Sequence, residues 1–293
     1  MKYTSWSRKV FSLFNYLVMA ILALLCLAPV LNAIAISLSG SIAVGAGRVT
    51  FWPVDFTMDS YRYLWSRSDF FTALWVTVKR VFIGTSVQML ITIITAFPLS
   101  MEQRDFRMRT VYVWFFVFTM LFSGGLVPWF LQVRAVGLLN SIWALVLPGA
   151  VSVWNLILML NFFRRLPREL TESFFIDGAN YHHLLWQLYV PLSKSVIATI
   201  LLFTVVAHWN SWFDGLILMN HATNYPLATY LYTIVQNFDF SNVTQETAEI
   251  LGRITTRSAK SAHTVVAMLP IICVYPFLQK YFVTGIVLGS VKG

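Results

Sequence analysis

Residues 164–191 read RRLPRELTESFFIDGANYHHLLWQLYVP, and the physics of this stretch sets how the rest of the chain is understood. Pro167 suits a first helical turn, where its missing N–H costs nothing. Glu169 and Glu172 follow where the positive end of a helix favours negative charge. Gly178 permits a turn that a β-carbon would make costly. Asn180 can cap a second short helix that ends before Pro191. The local expectation is helix, glycine turn, helix: a compact amphipathic knob over residues 166–190. Phe174, Phe175, Leu184, Leu185 and Trp186 make it too apolar to sit uncovered in water, so it needs neighbouring helices or a partner's cleft. A plain connecting loop is the alternative, but a loop has no use for two helical turns and such large apolar side chains.

On both sides of the knob the charges vanish. No Asp, Glu, Lys or Arg occurs over Val10–Gly47, Val81–Met101, Thr110–Val133, Ala135–Phe163, Ser195–Phe213 or Ser261–Gln279. Crossing the hydrocarbon takes about 20 apolar residues in a helix. These stretches therefore predict an all-α polytopic membrane protein with six spans, at residues 10–38, 72–100, 108–130, 139–163, 194–219 and 262–283. Only 11% of the 293 residues are charged and 58% are hydrophobic, too few charges to coat a soluble core of buried helices. Lys2, Arg8 and Lys9 before the first run resemble the start of a signal peptide, but the run exceeds the length of a cleaved apolar region and reads as a retained helix. Cys26 and Cys273 both fall within spans and lack metal-ligand spacing, so buried free thiols are expected.

Basic residues set the expected orientation. Lys2, Arg8, Lys9, Arg104, Arg107, Arg109, Arg164, Arg165, Arg168, Lys194, Lys280 and Lys292 fall on one face, and they are 12 of the 21 Lys and Arg. They lie in short loops near helix ends, where the positive-inside rule counts them, so that face and both termini are expected to be cytoplasmic. The net charge of +9 is then mainly topological and does not argue for nucleic-acid binding. Trp52-Pro53 and Tyr61 to Trp65 are expected at the membrane interface, and Lys79 and Arg80 are expected to snorkel to water from the second span. Pro98 offers a bend, Ser123-Gly124-Gly125 an end or break of the third span, and Pro148-Gly149 a kink in the fourth. No low-complexity run or internal repeat is evident, and residues 1–293 read as a single membrane domain.

The run Glu172 to Pro191 resembles the coupling motif of ABC importer permeases: Glu-Ala-Ala, a three-residue gap, Gly, then a spaced Pro. Here three residues separate Phe174 from Gly178, and twelve separate Gly178 from Pro191. The core Asp177-Gly178-Ala179 is especially similar to the carbohydrate-uptake branch. Ser173 and Phe174 stand in place of the two alanines, which alters the packing face of the first short helix, and Ser195 replaces a second proline found in many relatives. Phe122 to Pro128, Leu138 to Ala144, His208 to Asp214, and the tail from Gln279 to Gly285 and Val291 to Gly293 are similar to maltose-type and complex-oligosaccharide permeases. The resemblance spans nearly the whole chain after residue 70, and subunits that import acidic oligosaccharides such as alginate look closest.

The resemblance implies a type I ABC importer permease fold in the bacterial inner membrane, with the coupling helices between spans four and five. It implies a heterodimer with a second permease subunit, two ATPase subunits carrying ATP and Mg, and a periplasmic or tethered solute-binding protein. Glu172, Asp177, Gly178, Ala179 and Pro191 would form the ATPase-coupling site, the knob acting as a lever that rocks the helices between inward and outward states. Nothing in the chain itself points to nucleotide chemistry: no Gly-x-x-x-x-Gly-Lys-Ser/Thr, Gly-x-Gly-x-x-Gly or His-Glu-x-x-His occurs. No catalytic residue, cofactor or metal is expected; His182 and His183 are adjacent and point to different helix faces.

Polar residues within spans mark candidates for the substrate path. Trp209, Asn210, Trp212 and Asp214 in the fifth span are the best cluster, since indole faces stack on sugar rings and Asn both donates to and accepts from hydroxyls. Helix–helix hydrogen bonding and an interfacial aromatic belt are the alternative for the same residues, and the favoured one. Asn155 and Asn161 in the fourth span are weaker candidates. The stretch 220–261, with Asn220, Asn224, Pro226, Tyr230, Tyr232, Arg253, Arg257 and Lys260, reads as a long outside loop. It either touches the binding protein, as the resemblance implies, or lies solvated on the membrane. Other solutes (peptides, amino acids, metals) remain open within the same family. An ion-coupled transporter would carry several intramembrane acids where only Asp214 is found, and a membrane enzyme would show a catalytic cluster.

Overall fold

The computed structural model describes residues 6–236 and 254–290. Among the described residues the chain is helical throughout, the only extended pairing being an isolated antiparallel bridge between Ser39 and Phe56. Two compact units form: Met1–Phe70 with Leu231–Leu269, and Phe71–Tyr230 with Pro270–Gly293.

The first unit opens with α1 (Trp6–Ser37), whose most apolar window has no buried residue. Cys26 lies on this surface and Cys273 is likewise exposed, which corrects the expectation of buried thiols. The physical reason is that a helix bathed in hydrocarbon needs no protein around an apolar side chain. The end of α1 does pack: Ala35 and Ile36 meet Ala43 and Val44 of α2 (Ser41–Gly45) together with Val49. Tyr61 of α3 (Asp59–Ser66) lies 2.8 Å from the Ser37 hydroxyl. Trp52 and Trp65 are exposed.

In the second unit, α4 (Ser68–Ser100) runs unbroken and carries Pro98 in its last turn. Helices α1 and α4 are each long and apolar enough to cross a bilayer. The later segments are broken. α5 (Arg109–Leu121) and α6 (Leu126–Ala135) meet at 115° across Ser123-Gly124-Gly125, where Gly125 takes φ of +87°. That left-handed backbone is one only glycine adopts cheaply. α7 (Ile142–Val146) and α8 (Val153–Phe163) are joined through a 3₁₀ turn at Leu147–Gly149, bending by 49°.

The knob follows as α9 (Arg168–Ile176), α10 (Tyr181–His183), a π-helical turn over Leu184–Tyr189 and α11 (Val190–Leu192). The helical run thus passes through Pro191 and does not stop before it. The widened turn shifts the hydrogen-bond register just ahead of the proline, so its missing N–H is tolerated. After an 80° bend, α12 (Lys194–Asn210) ends at Ser211. The expected span 194–219 is therefore broken, and α13 (Phe213–Leu218) starts afresh. Within the expected outside loop, α14 (Leu227–Gln236) and the start of α15 (Thr256–Ser290) are helical. Arg253 lies outside the described residues.

Candidate functional site: a polar cavity and a helical knob

The core of the second unit anchors the knob. Tyr189 packs edge-on to Phe97 of α4 at 5.0 Å and to Phe163 of α8 at 5.3 Å between centroids. Leu184 and Leu185 are buried with them, alongside Met159 and Ile200. The five apolar side chains that demanded cover are thereby sorted: Leu184 and Leu185 go inward and Phe174 packs against the core, while Phe175 and Trp186 remain exposed. Ile176 at the tip of α9 is 85% exposed.

Local hydrogen bonds shape the turn. Gly178, at φ +79°, donates to the Phe175 carbonyl, and Ala179 donates to that of Phe174, both at 3.0 Å. This is the Schellman pattern, which closes a helix through a left-handed residue. The Asn180 side chain then accepts from the His183 N–H at 3.0 Å, capping the next turn as expected. The rings of His182 and His183 stand edge-on, 6.1 Å apart.

A polar clamp holds the knob to α4. Arg168 pairs with Glu102, which also pairs with Arg104 at 3.2 Å. Arg164 donates to the Leu99 carbonyl at 3.2 Å, and Arg109 donates to that of Met101. These are the unsatisfied carbonyls at the end of α4, where cations are favoured. Burial, and then the nearby Arg109 charge, lower the Arg164 pKa from its ordinary value. A cavity of about 330 Å³ lies among these groups, and Glu172 and Tyr181 share its wall.

The larger cavity, about 840 Å³, is walled by α4, the α5–α6 break, the α7–α8 bend and the end of α12. Arg80, Gln88, His208, Ser211 and Asp214 supply much of its polar wall. Arg80 does not snorkel: its side chain is 3% exposed and pairs bidentately with Asp214, one of the two bonds being 3.1 Å. Its Nη1 also donates to the Ser211 carbonyl at 3.2 Å. A carboxylate within reach makes an inward turn cheaper for the guanidinium than a lone charge would allow. Lys79 does remain on the surface, 5.3 Å over the Trp75 ring.

Asp214 itself is held from several directions. Besides Arg80, it accepts from the Ser211 hydroxyl at 2.8 Å and from the Gly215 N–H at 2.9 Å. Nearby, the Thr77 hydroxyl accepts from the Leu227 N–H, and the Thr229 hydroxyl donates to the Trp212 carbonyl. The break between α12 and α13 is thus pinned by side chains to α4 and to the segment after it. His208 packs against Gly84, where a β-carbon would lie 2.6 Å from the imidazole ring.

Of the sequence candidates, Asp214 alone lines this cavity; Trp209, Asn210, Trp212 and Asn155 do not. Asn155 is buried and donates to the Thr204 hydroxyl at 3.3 Å, a helix–helix contact between α8 and α12. Asn161 is exposed on α8. Sequence reasoning missed Arg80, Gln88 and His208. The signal available was spacing: Arg80 and Gln88 stand eight residues apart, which puts both on one face of α4 with Gly84 between them.

Open space beside a buried ion pair, among apolar helices, marks a candidate solute path. By class, then, the fold and cavity define a polytopic membrane permease. Residues 70–287 match the family of binding-protein-dependent transport system inner membrane components, and the chain belongs to that family. Over 288 residues it is 38% identical to the polygalacturonan/rhamnogalacturonan transport system permease protein YtcP of Bacillus subtilis, covering 97% of this chain and 99% of that one. It is 37% identical to protein LplC of the same organism over 285 residues, covering 97% and 96%. The crystal structure of a bacterial ABC transporter involved in the import of the acidic polysaccharide alginate contains a chain with TM-score 0.86 and 32% identity, covering 96% of this chain and all of that one.

Proposed function

We propose that this chain is one half of the channel of an ABC importer for oligosaccharides, and that acidic, uronate-bearing chains are the substrate class. A second permease would complete the channel, two separate ATPases would bind ATP and Mg, and a solute-binding protein would deliver the sugar. The support for the sugar class is the near full-length likeness to a permease named for polygalacturonan/rhamnogalacturonan and to a chain of an ABC transporter involved in alginate import. In this reading residues 1–293 form one membrane domain of six spans, with α5–α6, α7–α8 and α12–α13 as broken spans, and both termini lie on the cytoplasmic side with the knob.

The observation that carries the coupling role is the split character of the knob. Its second half is locked into the core through Tyr189, while Phe175 and Ile176 of the first half stand exposed at its tip. A rigid element with an apolar tip suits insertion into a groove, and its core anchor would pass any push to α4, α8 and α12. Glu172, Asp177, Gly178, Ala179 and Pro191 would make up the coupling site: Gly178 fixes the angle, and Asp177 closes α9 beside the exposed tip.

Co-purification with the ATPase and ATP-driven uptake of an oligogalacturonate test the proposal, comparing wild type with Glu172→Ala/Gly178→Pro. The expected outcome is an associated ATPase in the wild type and loss of association, or ATP hydrolysis without uptake, in the variant. Uptake that persists with no ATPase bound would reject the reading and favour ion-coupled transport.

A further inference from the structure

We propose that Arg80 is the carboxylate-reading residue of the path and that Asp214 is its resident counter-ion. The inference rests on the reading that acidic oligosaccharides pass through the 840 Å³ cavity whose wall both residues form. Three features of the pair carry it.

The first is that Arg80 is not fully used. Its Nη1 and Nη2 face Asp214, and Nη1 also serves the Ser211 carbonyl, but Nε is buried with no hydrogen-bond partner among the described residues. A guanidinium offers two edges to carboxylates, and the Nε–Nη2 edge is the one left over. The second is that Asp214 has other donors. Were Nη2 drawn away, its carboxylate would keep Nη1, the Ser211 hydroxyl and the Gly215 N–H. The exchange therefore leaves neither charge stranded. The third is charge arithmetic at the wall. Arg80 and Asp214 carry opposite charges, so a passing acid meets a guanidinium that is already partly satisfied.

A transport path must hold its solute firmly enough to admit it and weakly enough to release it. A bare arginine in a low-dielectric cavity would bind a carboxylate too tightly for rapid passage. Asp214 holds Nη2, which must turn from it before the Nε edge opens, and so sets the grip. The geometry thus assigns recognition to Arg80 and release to Asp214: Nε is unpaired but closed off while Nη2 holds Asp214, and the uronate carboxylate reaches the Nε–Nη2 edge once the guanidinium turns from Asp214.

The test uses the complete transporter, with its partner permease, ATPases and binding protein, in proteoliposomes. Uptake of an oligogalacturonate is compared with uptake of its uncharged methyl ester. Because the same binding protein delivers both, a change in the acid-to-ester ratio between variants reports on this chain. Arg80→Gln/Asp214→Asn, which removes both charges and strands neither, is expected to lower that ratio about tenfold. Asp214→Asn is expected to lower KM for the acid together with kcat, since Arg80 then grips it harder, and to spare the ester from that split. An unchanged ratio in the double variant would overturn the proposal and leave the pair a helix clamp. If the wild type carries the ester or neutral sugars but no uronate, the acidic substrate class itself fails, and this inference with it.

Discussion

Two arginine–carboxylate pairs, one just past the end of α4 and one drawing on Arg80 within it, differ in almost everything but chemistry. Near the knob, Arg168 is 74% exposed and Glu102 30% exposed, in a cluster with Arg104. At the cavity, Arg80 is 3% exposed and Asp214 19% exposed, with Ser211 and Gly215 completing the carboxylate's bonds. Exposed pairs contribute about 0–1 kcal/mol because water and salt screen them. A buried pair is weak evidence of net stability, yet losing one partner costs about 3–5 kcal/mol because the other charge is stranded. The two pairs therefore suit different tasks. Under the proposed coupling role, the exposed clamp is the one that could yield and re-form, whereas the buried pair would change only when another charge took a partner's place.

The comparison breaks most visibly at the cavity. Asp214→Ala is expected to destabilise the complex by about 3–5 kcal/mol, read as a lowered unfolding midpoint in detergent, with Arg80→Met/Asp214→Ala recovering a large part. A double variant as unstable as the single one would show that the loss lies in packing and not in stranded charge. Gly84→Ala pushes a methyl against the His208 ring and is expected to cost about 1–3 kcal/mol, measured in the same way. Full stability in that variant would mean that the imidazole has room to move away.

Effects at the knob should be smaller in stability and larger in coupling. Gly178→Ala forces a β-carbon into left-handed backbone at about 1–2 kcal/mol, and its main readout is ATP hydrolysis per sugar imported. Arg168→Ala is expected to change the unfolding midpoint by no more than about 1 kcal/mol, with its effect fading in high salt. A salt-insensitive loss at Arg168 would erase the contrast between the two pairs.

How much of this was readable beforehand differed between the same two regions. The knob is local: its turn, cap and helix ends depend on residues a few positions apart, so Gly178, Asn180 and Glu169 could be read directly. Pro191 misled because a π turn depends on how Leu184 to Tyr189 pack into the core. The cavity is non-local. Arg80 and Asp214 are 134 positions apart, and the inward turn of Arg80 depends on a partner that no local pattern reveals. Asn155 looked like a path residue for the same reason, and Thr204 instead takes its amide.

The sequence by itself determined that the chain lives in a membrane, that it is helical, and that a glycine-hinged knob interrupts its apolar runs. Those properties follow from composition and from interactions within one or two helical turns. Only the tertiary structure decided where the spans break, which face of α4 looks inward, and which charges meet. Inside an apolar bundle a polar side chain turns to the partner that best offsets its desolvation, and that partner's location is set by packing between helices far apart in the chain.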